Sequence, residues 1–257
     1  MIELRAGVAT VRVSPELGGR VAAIEHDGFD LLVTGDAGTD PLLWGSYPMV
    51  PFAGRLRHGR FEWNGTTVEL PLGMPPHAIH GSGYTSEWHV LDDGPTHVEL
   101  STPLTWSLGG IAHQHLQLTD DALVCVLSVQ ATDRAIPVVL GWHPWFTKPL
   151  SDQLHFRSMY LRDDTYVPSG ELVEPPARPW DDCFVGPRGP LVLHYPGDRS
   201  VTVASDCDHW VVYDMPTNAT CVEPQSGPPD AFHLGHGYQV VEPGEVVSRT
   251  MTIAWQR

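Results

Sequence analysis

No stretch of twelve residues in this chain keeps a helical hydrophobic period. Glycines and prolines, 25 and 24 of them, break it into short runs. Between the breaks the apolar residues alternate with polar ones, the period of a strand with one buried face. Residues 9–13 read Ala, Thr, Val, Arg, Val, and Gly18-Gly19 then turns the chain. Asp27-Gly28 and Asn64-Gly65 are dipeptides whose residues accept positive φ, the requirement of a tight hairpin. Further runs at 89–91, 97–101, 111–118 and 122–131 are separated by Asp93-Gly94, Gly109-Gly110 and Asp120-Asp121. Runs at 191–195, 200–204 and 209–213 follow, and 246–255 alternates as a closing strand. The expectation is an all-β fold, a large β-sandwich, formed as one domain over residues 1–257. Residues 149–190, with six prolines between 168 and 190, read as a loop-rich, long excursion over the surface, broken against any helix or long strand.

Charge narrows the partners. With 15 Lys plus Arg against 31 Asp plus Glu, the formal charge of −16 repels a phosphate backbone and an anionic membrane surface. A neutral small molecule suits such a surface better than nucleic acid or membrane. No basic run followed by an apolar segment opens the sequence, and no apolar stretch reaches membrane-spanning length, so a cytoplasmic location is expected. The four cysteines, Cys125, Cys183, Cys207 and Cys221, form no Cys-x-x-Cys pair and read as reduced thiols.

Three stretches carry chemistry. In residues 51–88 a hairpin around Asn64-Gly65 separates Arg55 from His80, and a proline-rich loop leads to His80-Gly81. A cation and an imidazole can thus face one ligand, with glycine permitting close backbone approach. The apolar run 136–140 delivers Gly141-Trp142-His143-Pro144-Trp145-Phe146, where Pro144 reads as the end of the strand. A histidine among aromatics is often a packed core residue, but aromatic faces beside a polar handle are what a pyranose needs, with its C–H faces and hydroxyls. Near the C-terminus Thr220-Cys221-Val222 brings Glu223 to Pro224, reading as a strand that ends on a carboxylate and passes into a rigid loop. His113 and His115 share a strand face and have the spacing of a metal pair. The further ligands of a cupin-type jelly roll are not spaced to join them, so they read as solvated or mouth-facing, and no metal is expected.

These segments, taken in order, resemble the aldose 1-epimerase (galactose mutarotase) family. The similarity rests on Gly54-Arg55, Gly59-Arg60-Phe61, Asn64-Gly65, Ile79-His80-Gly81, Gly141-Trp142-His143-Pro144-Trp145-Phe146 and Val222-Glu223-Pro224-Gln225. It implies a galactose mutarotase-like supersandwich that interconverts the α and β anomers of a free aldohexose without cofactor. By the resemblance Glu223 is the base on the C1 hydroxyl, His143 the acid to the ring oxygen, and His80 a hydrogen-bonding partner near them. Arg55, Asp181 and Trp145 would hold the sugar, Asp181 because Trp180-Asp181-Asp182-Cys183-Phe184 is similar to the family's aromatic-Asp-x-x-Phe segment. A turn aspartate capping backbone amides is an equal reading of Asp181, and Asp182 is the alternative residue. The chemistry asks for an acid and a base on different sides of the anomeric centre, each able to reverse its role. Two positions depart from the family pattern: Gly54 stands where Asn is usual, and Trp145 where Tyr or Phe is usual. The competing functions are a hexose-6-phosphate 1-epimerase, for which Arg55, Arg57 and Arg60 would have to supply a phosphate pocket, and a non-catalytic carbohydrate-binding protein.

Overall fold

A computed structural model of the chain, describing residues 1–256, contains two large antiparallel sheets. The first has eleven strands. Its central path runs Arg20–His26, Ser46–Met49, Gly141–Thr147, Ala219–Gln225, His209–Tyr213, Asp181–Pro187, Phe156–Arg162 and Pro168–Val173. Ile2–Ala6 and Ala9–Ser14 extend it at the N-terminal side. The second sheet has eight strands, among them Ile111–Leu118, Ala122–Gln130 and Val246–Gln256. Alternation decides what lies between the sheets. In Ile111–Leu118 the side chains of Ala112, Leu116 and Leu118 are buried while His113 and His115 take the other face. Leu100, Leu127 and Ile253 from this sheet join Val11, Ile24, Phe184 and Val222 from the first in a single core cluster. The fold is therefore the large all-β sandwich expected from the strand pattern.

Both hairpin dipeptides form the turns their chemistry predicts. Asn64 and Gly65 have φ of 48° and 76°, and Arg60–Trp63 pairs with Thr66–Glu69 across them. Asp27 and Gly28 turn Arg20–His26 into Phe29–Asp30 in the same way.

Two readings need correction. Residues 149–190 are not a loop-rich excursion over the surface, since they contribute Phe156–Arg162, Pro168–Val173 and Asp181–Pro187 to the first sheet and Ser151–Gln153 to the second. Pro168 begins the edge strand of this sheet, and Pro187 is the last residue of an interior one, terminal positions where a missing N–H costs the ladder little. Pro144 and Pro224 do not end strands either, because both lie inside Gly141–Thr147 and Ala219–Gln225. The four cysteines are buried and unbridged. His113 and His115 lie on the outer face of the second sheet, where His115 Nδ1 is 3.3 Å from Glu99 Oε1. Among the described residues no helix is long and apolar enough to cross a membrane.

Candidate active site

Strand register builds the site. Gly141–Thr147 lies between Ser46–Met49 and Ala219–Gln225. On one side Tyr47 is opposite His143. On the other, Gly141 is opposite Gln225 and Trp145 opposite Cys221, so counting inward from both ends sets His143 against Glu223. Ladder bridges are absent between these two bracketing pairs, where Pro144 and Pro224 have no N–H to give. The next strands continue the rows: Glu223 is opposite Val211, Cys221 is opposite Tyr213, and Tyr213 is opposite Asp181. Five strands thus bring Tyr47, His143, Trp145, Glu223, Tyr213 and Asp181 onto one face, around one cavity.

Arg55 and His80 enter that cavity from outside the large sheets. Arg55–Leu56 pairs with Ala78–Ile79, Arg55 standing opposite Ile79. The backbones of Gly54 and His80 then lock together, because His80 N–H donates to the Gly54 carbonyl at 3.0 Å and Gly54 N–H donates to His80 Nδ1 at 3.2 Å. With Nδ1 accepting, the neutral ring carries its proton on Nε2. Gly81 follows at φ 69°, and a Cβ there would lie 2.2 Å from the Val50 carbonyl oxygen, so only glycine lets the chain pass.

At the cavity floor His143 Nε2 is 3.2 Å from Glu223 Oε1, with both side chains almost wholly buried. Gln225 Nε2 donates to the other carboxyl oxygen at 3.4 Å. Burial, and then the nearby Asp181 charge, pushes the Glu223 carboxyl well above the usual carboxylate range, and Arg55 opposes them. Burial likewise pushes His143 down to about 3. Burial, followed by the neighbouring His143 and Arg55, holds His80 well below an ordinary histidine. Burial thus disfavours charge on both partners, a carboxyl and an imidazole whose facing atoms are in hydrogen-bond reach. The His143 ring stacks on Tyr47 with centroids 4.8 Å apart and lies nearly parallel to Trp145 at 5.5 Å, which restricts its rotation.

The wall is polar at one point. Arg55 Nη2 is 3.5 Å from Asp181 Oδ2, and both line the cavity. Asp182 points to the opposite face of the same strand, where Arg162 Nε donates to its Oδ1 at 2.6 Å. Of the two aspartates, Asp181 is the one that reaches the site. All six predicted site residues, Glu223, His143, His80, Arg55, Asp181 and Trp145, line this cavity. Sequence reasoning did not single out Tyr47, Tyr213 or Gln225, which line it as well. Gln225 was within reach, since alternation puts it on the face of Glu223 two positions earlier. Tyr47 carried no comparable signal, because its position depends on which strand lies beside His143.

Comparison with known proteins identifies the family and the fold. The sequence matches the aldose 1-epimerase family over residues 1–254. The protein YphB of Escherichia coli (strain K12) is 27% identical over 245 residues, covering 80% of this chain and 82% of that protein. Among solved structures, a galactose mutarotase-like protein from Clostridium acetobutylicum superposes with a TM-score of 0.89 at 17% identity, covering 99% of this chain and 94% of that one. Galactose 1-epimerase from Lactobacillus acidophilus NCFM superposes with a TM-score of 0.80 at 16% identity, covering 98% and 92%. The sandwich is thus the galactose mutarotase-like fold. With the match running almost end to end, this chain belongs to the aldose 1-epimerase family.

Proposed function

We propose that the protein interconverts the α and β anomers of a free aldohexose, using His143 and Glu223 as a proton-exchanging pair. The observation that carries this reading is their contact, Nε2 to Oε1 at 3.2 Å, on the floor of a cavity with stacking aromatics. Opening the ring breaks the O1–H bond and the C1–O5 bond, forms C1=O1, and puts a proton on O5. O1 and O5 are bonded to the same carbon, so an acid and a base standing side by side can serve both atoms. That differs from the arrangement expected from sequence, in which the two flank the anomeric centre from different sides.

The proton count agrees with this chemistry. A neutral acid with a neutral imidazole holds the same single proton as a carboxylate with an imidazolium, and transfer across the pair interchanges them. In the second form Glu223 takes the proton from O1 and His143 gives its own to O5. Rotation about C1–C2 presents the other face of the aldehyde, and the two transfers run backward to close the opposite anomer. His80 donates from Nε2 toward the oxygens at C1. Arg55 and Asp181 orient ring hydroxyls, and Trp145 offers an apolar face to the sugar's C–H groups.

An unphosphorylated sugar is favoured because Arg57 is already paired with Asp163 at 3.0 Å and Asp230 at 3.3 Å. Arg60 lies on the Arg60–Trp63 hairpin strand and does not line the cavity, which leaves Arg55 alone of the three at the wall. A single domain working in a reducing, cytoplasmic setting goes with this reading, supported by four buried, unbridged thiols. Polarimetry on freshly dissolved α-glucose and α-galactose tests the proposal. The protein should accelerate mutarotation of at least one, and Glu223→Gln should abolish the acceleration. No acceleration of either sugar would overturn it.

A further inference from the structure

One buried nucleophile stands beside the proton-exchanging pair without a part in the reaction. Cys221 lies two residues before Glu223 on the same strand and therefore on the same face. Its Sγ, one ring nitrogen of His143 and a carboxyl oxygen of Glu223 all lie within 4.8 Å of one another, and all three residues are buried. Tetrahedral zinc sites hold sulfur, nitrogen and oxygen ligands about 2.0–2.3 Å from the ion, so neighbouring donors stand somewhat closer together than this. Because stacking holds the His143 ring, closing the set to bonding distance requires rotation of the Cys221 and Glu223 side chains. A thiolate, an imidazole and a carboxylate make a mixed donor set that favours a borderline-soft ion such as Zn²⁺ over Mg²⁺ or Ca²⁺.

We infer that His143 and Glu223, which line the cavity, and Cys221, buried beside them, form a reversible, inhibitory site for Zn²⁺ and ions like it. The inference rests on the proposed role of His143 and Glu223, because it is their occupation by the ion that stops turnover. Binding forms a Zn–S, a Zn–N and a Zn–O bond. The thiol proton leaves to solvent, as does the carboxyl proton when Glu223 holds one, and His143 coordinates through a neutral nitrogen. With both proton-transfer atoms coordinated, neither can exchange a proton with O1 or O5, and the ion competes with the sugar for the same floor.

The arrangement gives Cys221 a distinct signature. Its thiol is not needed for anomer exchange, yet it supplies the anionic sulfur that separates this donor set from a bare His–Glu contact. The pair His113 and His115 lies on the outer face of the second sheet and shares no lining residue with the cavity.

The test uses the full chain, with Zn²⁺ in the rate assay and Co²⁺ as a spectroscopic substitute. In the wild type, Zn²⁺ should inhibit competitively with sugar, a chelator should restore the rate, and Co²⁺ should give a thiolate-to-metal charge-transfer band. In Cys221→Ala and Cys221→Ser, each compared with its own metal-free rate, the band should vanish. The half-inhibitory Zn²⁺ concentration should then rise on the order of tenfold or more, as expected on losing a ligand. Absence of the band in wild type, or equal inhibition of the wild type and both variants, overturns the site. If the wild type shows the band but no epimerase activity toward any sugar, the metal site stands and the functional reading falls. If it turns over sugar but shows neither band nor inhibition, the metal site alone falls.

Discussion

His143 and Glu223 face each other across adjacent strands, Nε2 to Oε1 at 3.2 Å, where Pro144 and Pro224 leave the backbone ladder without bridges. The side-chain contact thus takes the place of missing main-chain bonds, and it holds a carboxyl and an imidazole that burial drives toward neutrality.

Removing either partner should remove turnover while sparing the fold. Glu223→Gln and His143→Asn are each expected to lower kcat by about 10²–10⁴-fold, the usual worth of a positioned acid or base. Polarimetry gives the rate, and circular dichroism reports the retained sheet. A loss confined to KM in both variants would mean that the pair only binds sugar.

The pH profile should lack the ordinary histidine inflection near 6.5, because burial pushes His143 down to about 3. Falling pH adds a second proton to the pair only when it passes that depressed value, so the acid limb lies far below neutrality. On the alkaline side the rate should fall as the pair loses its single proton, above the usual carboxylate range. Measuring kcat/KM against pH checks both limbs, and a break at the usual histidine position would assign the proton exchange elsewhere.

The same raised carboxyl makes a stability prediction. A group whose folded pKa exceeds its unfolded value contributes fully below the unfolded pKa, and its contribution is lost as pH rises through the folded one. Between those values the wild type should lose about 1.4 kcal/mol per pH unit from this residue. Glu223→Gln has no such loss, so its Tm relative to the wild type should climb as pH rises from about 5. A pH-independent difference would count against a protonated Glu223.

The two adjacent aspartates should separate cleanly. Asp181→Asn weakens the polar wall beside Arg55 and should raise KM for sugar with little change in Tm. Asp182→Ala leaves Arg162 without its 2.6 Å partner on the other face, and should cost about 1.5–3 kcal/mol of stability with KM unchanged. Thermal melts and saturation kinetics on the pair of variants decide it. A reversal of the two phenotypes would show that the strand presents its other face to the sugar.

Gly54 marks where this chain departs from the family pattern, and the packing explains why asparagine is absent. At φ 73° its missing Cβ would lie 2.6 Å from the Pro229 ring. Gly54→Asn should therefore destabilise by about 1–3 kcal/mol through overpacking. Adding Pro229→Gly removes both atoms at 2.6 Å, leaving the Cα at 3.0 Å, and should recover part of that, as denaturant melts would report.

The sequence alone was enough for the fold class and for naming much of the candidate site's lining, because both are written in local chemistry. Turn dipeptides and two-residue alternation define strands over a few residues at a time, as at Asn64-Gly65. Short motifs carried Arg55, His80, His143 and Glu223. What lay beyond it was which strand neighbours which. Tyr47, His143 and Glu223 are scattered over most of the chain, and they meet through the register of three strands in an eleven-stranded sheet. The choice of Asp181 over Asp182 follows from that register too, as does the regular structure within residues 149–190. Local periodicity says which residues of a strand share a face. The lateral order of strands, and so the face that becomes a site, follows from burying the whole core at once, which no short window of sequence contains.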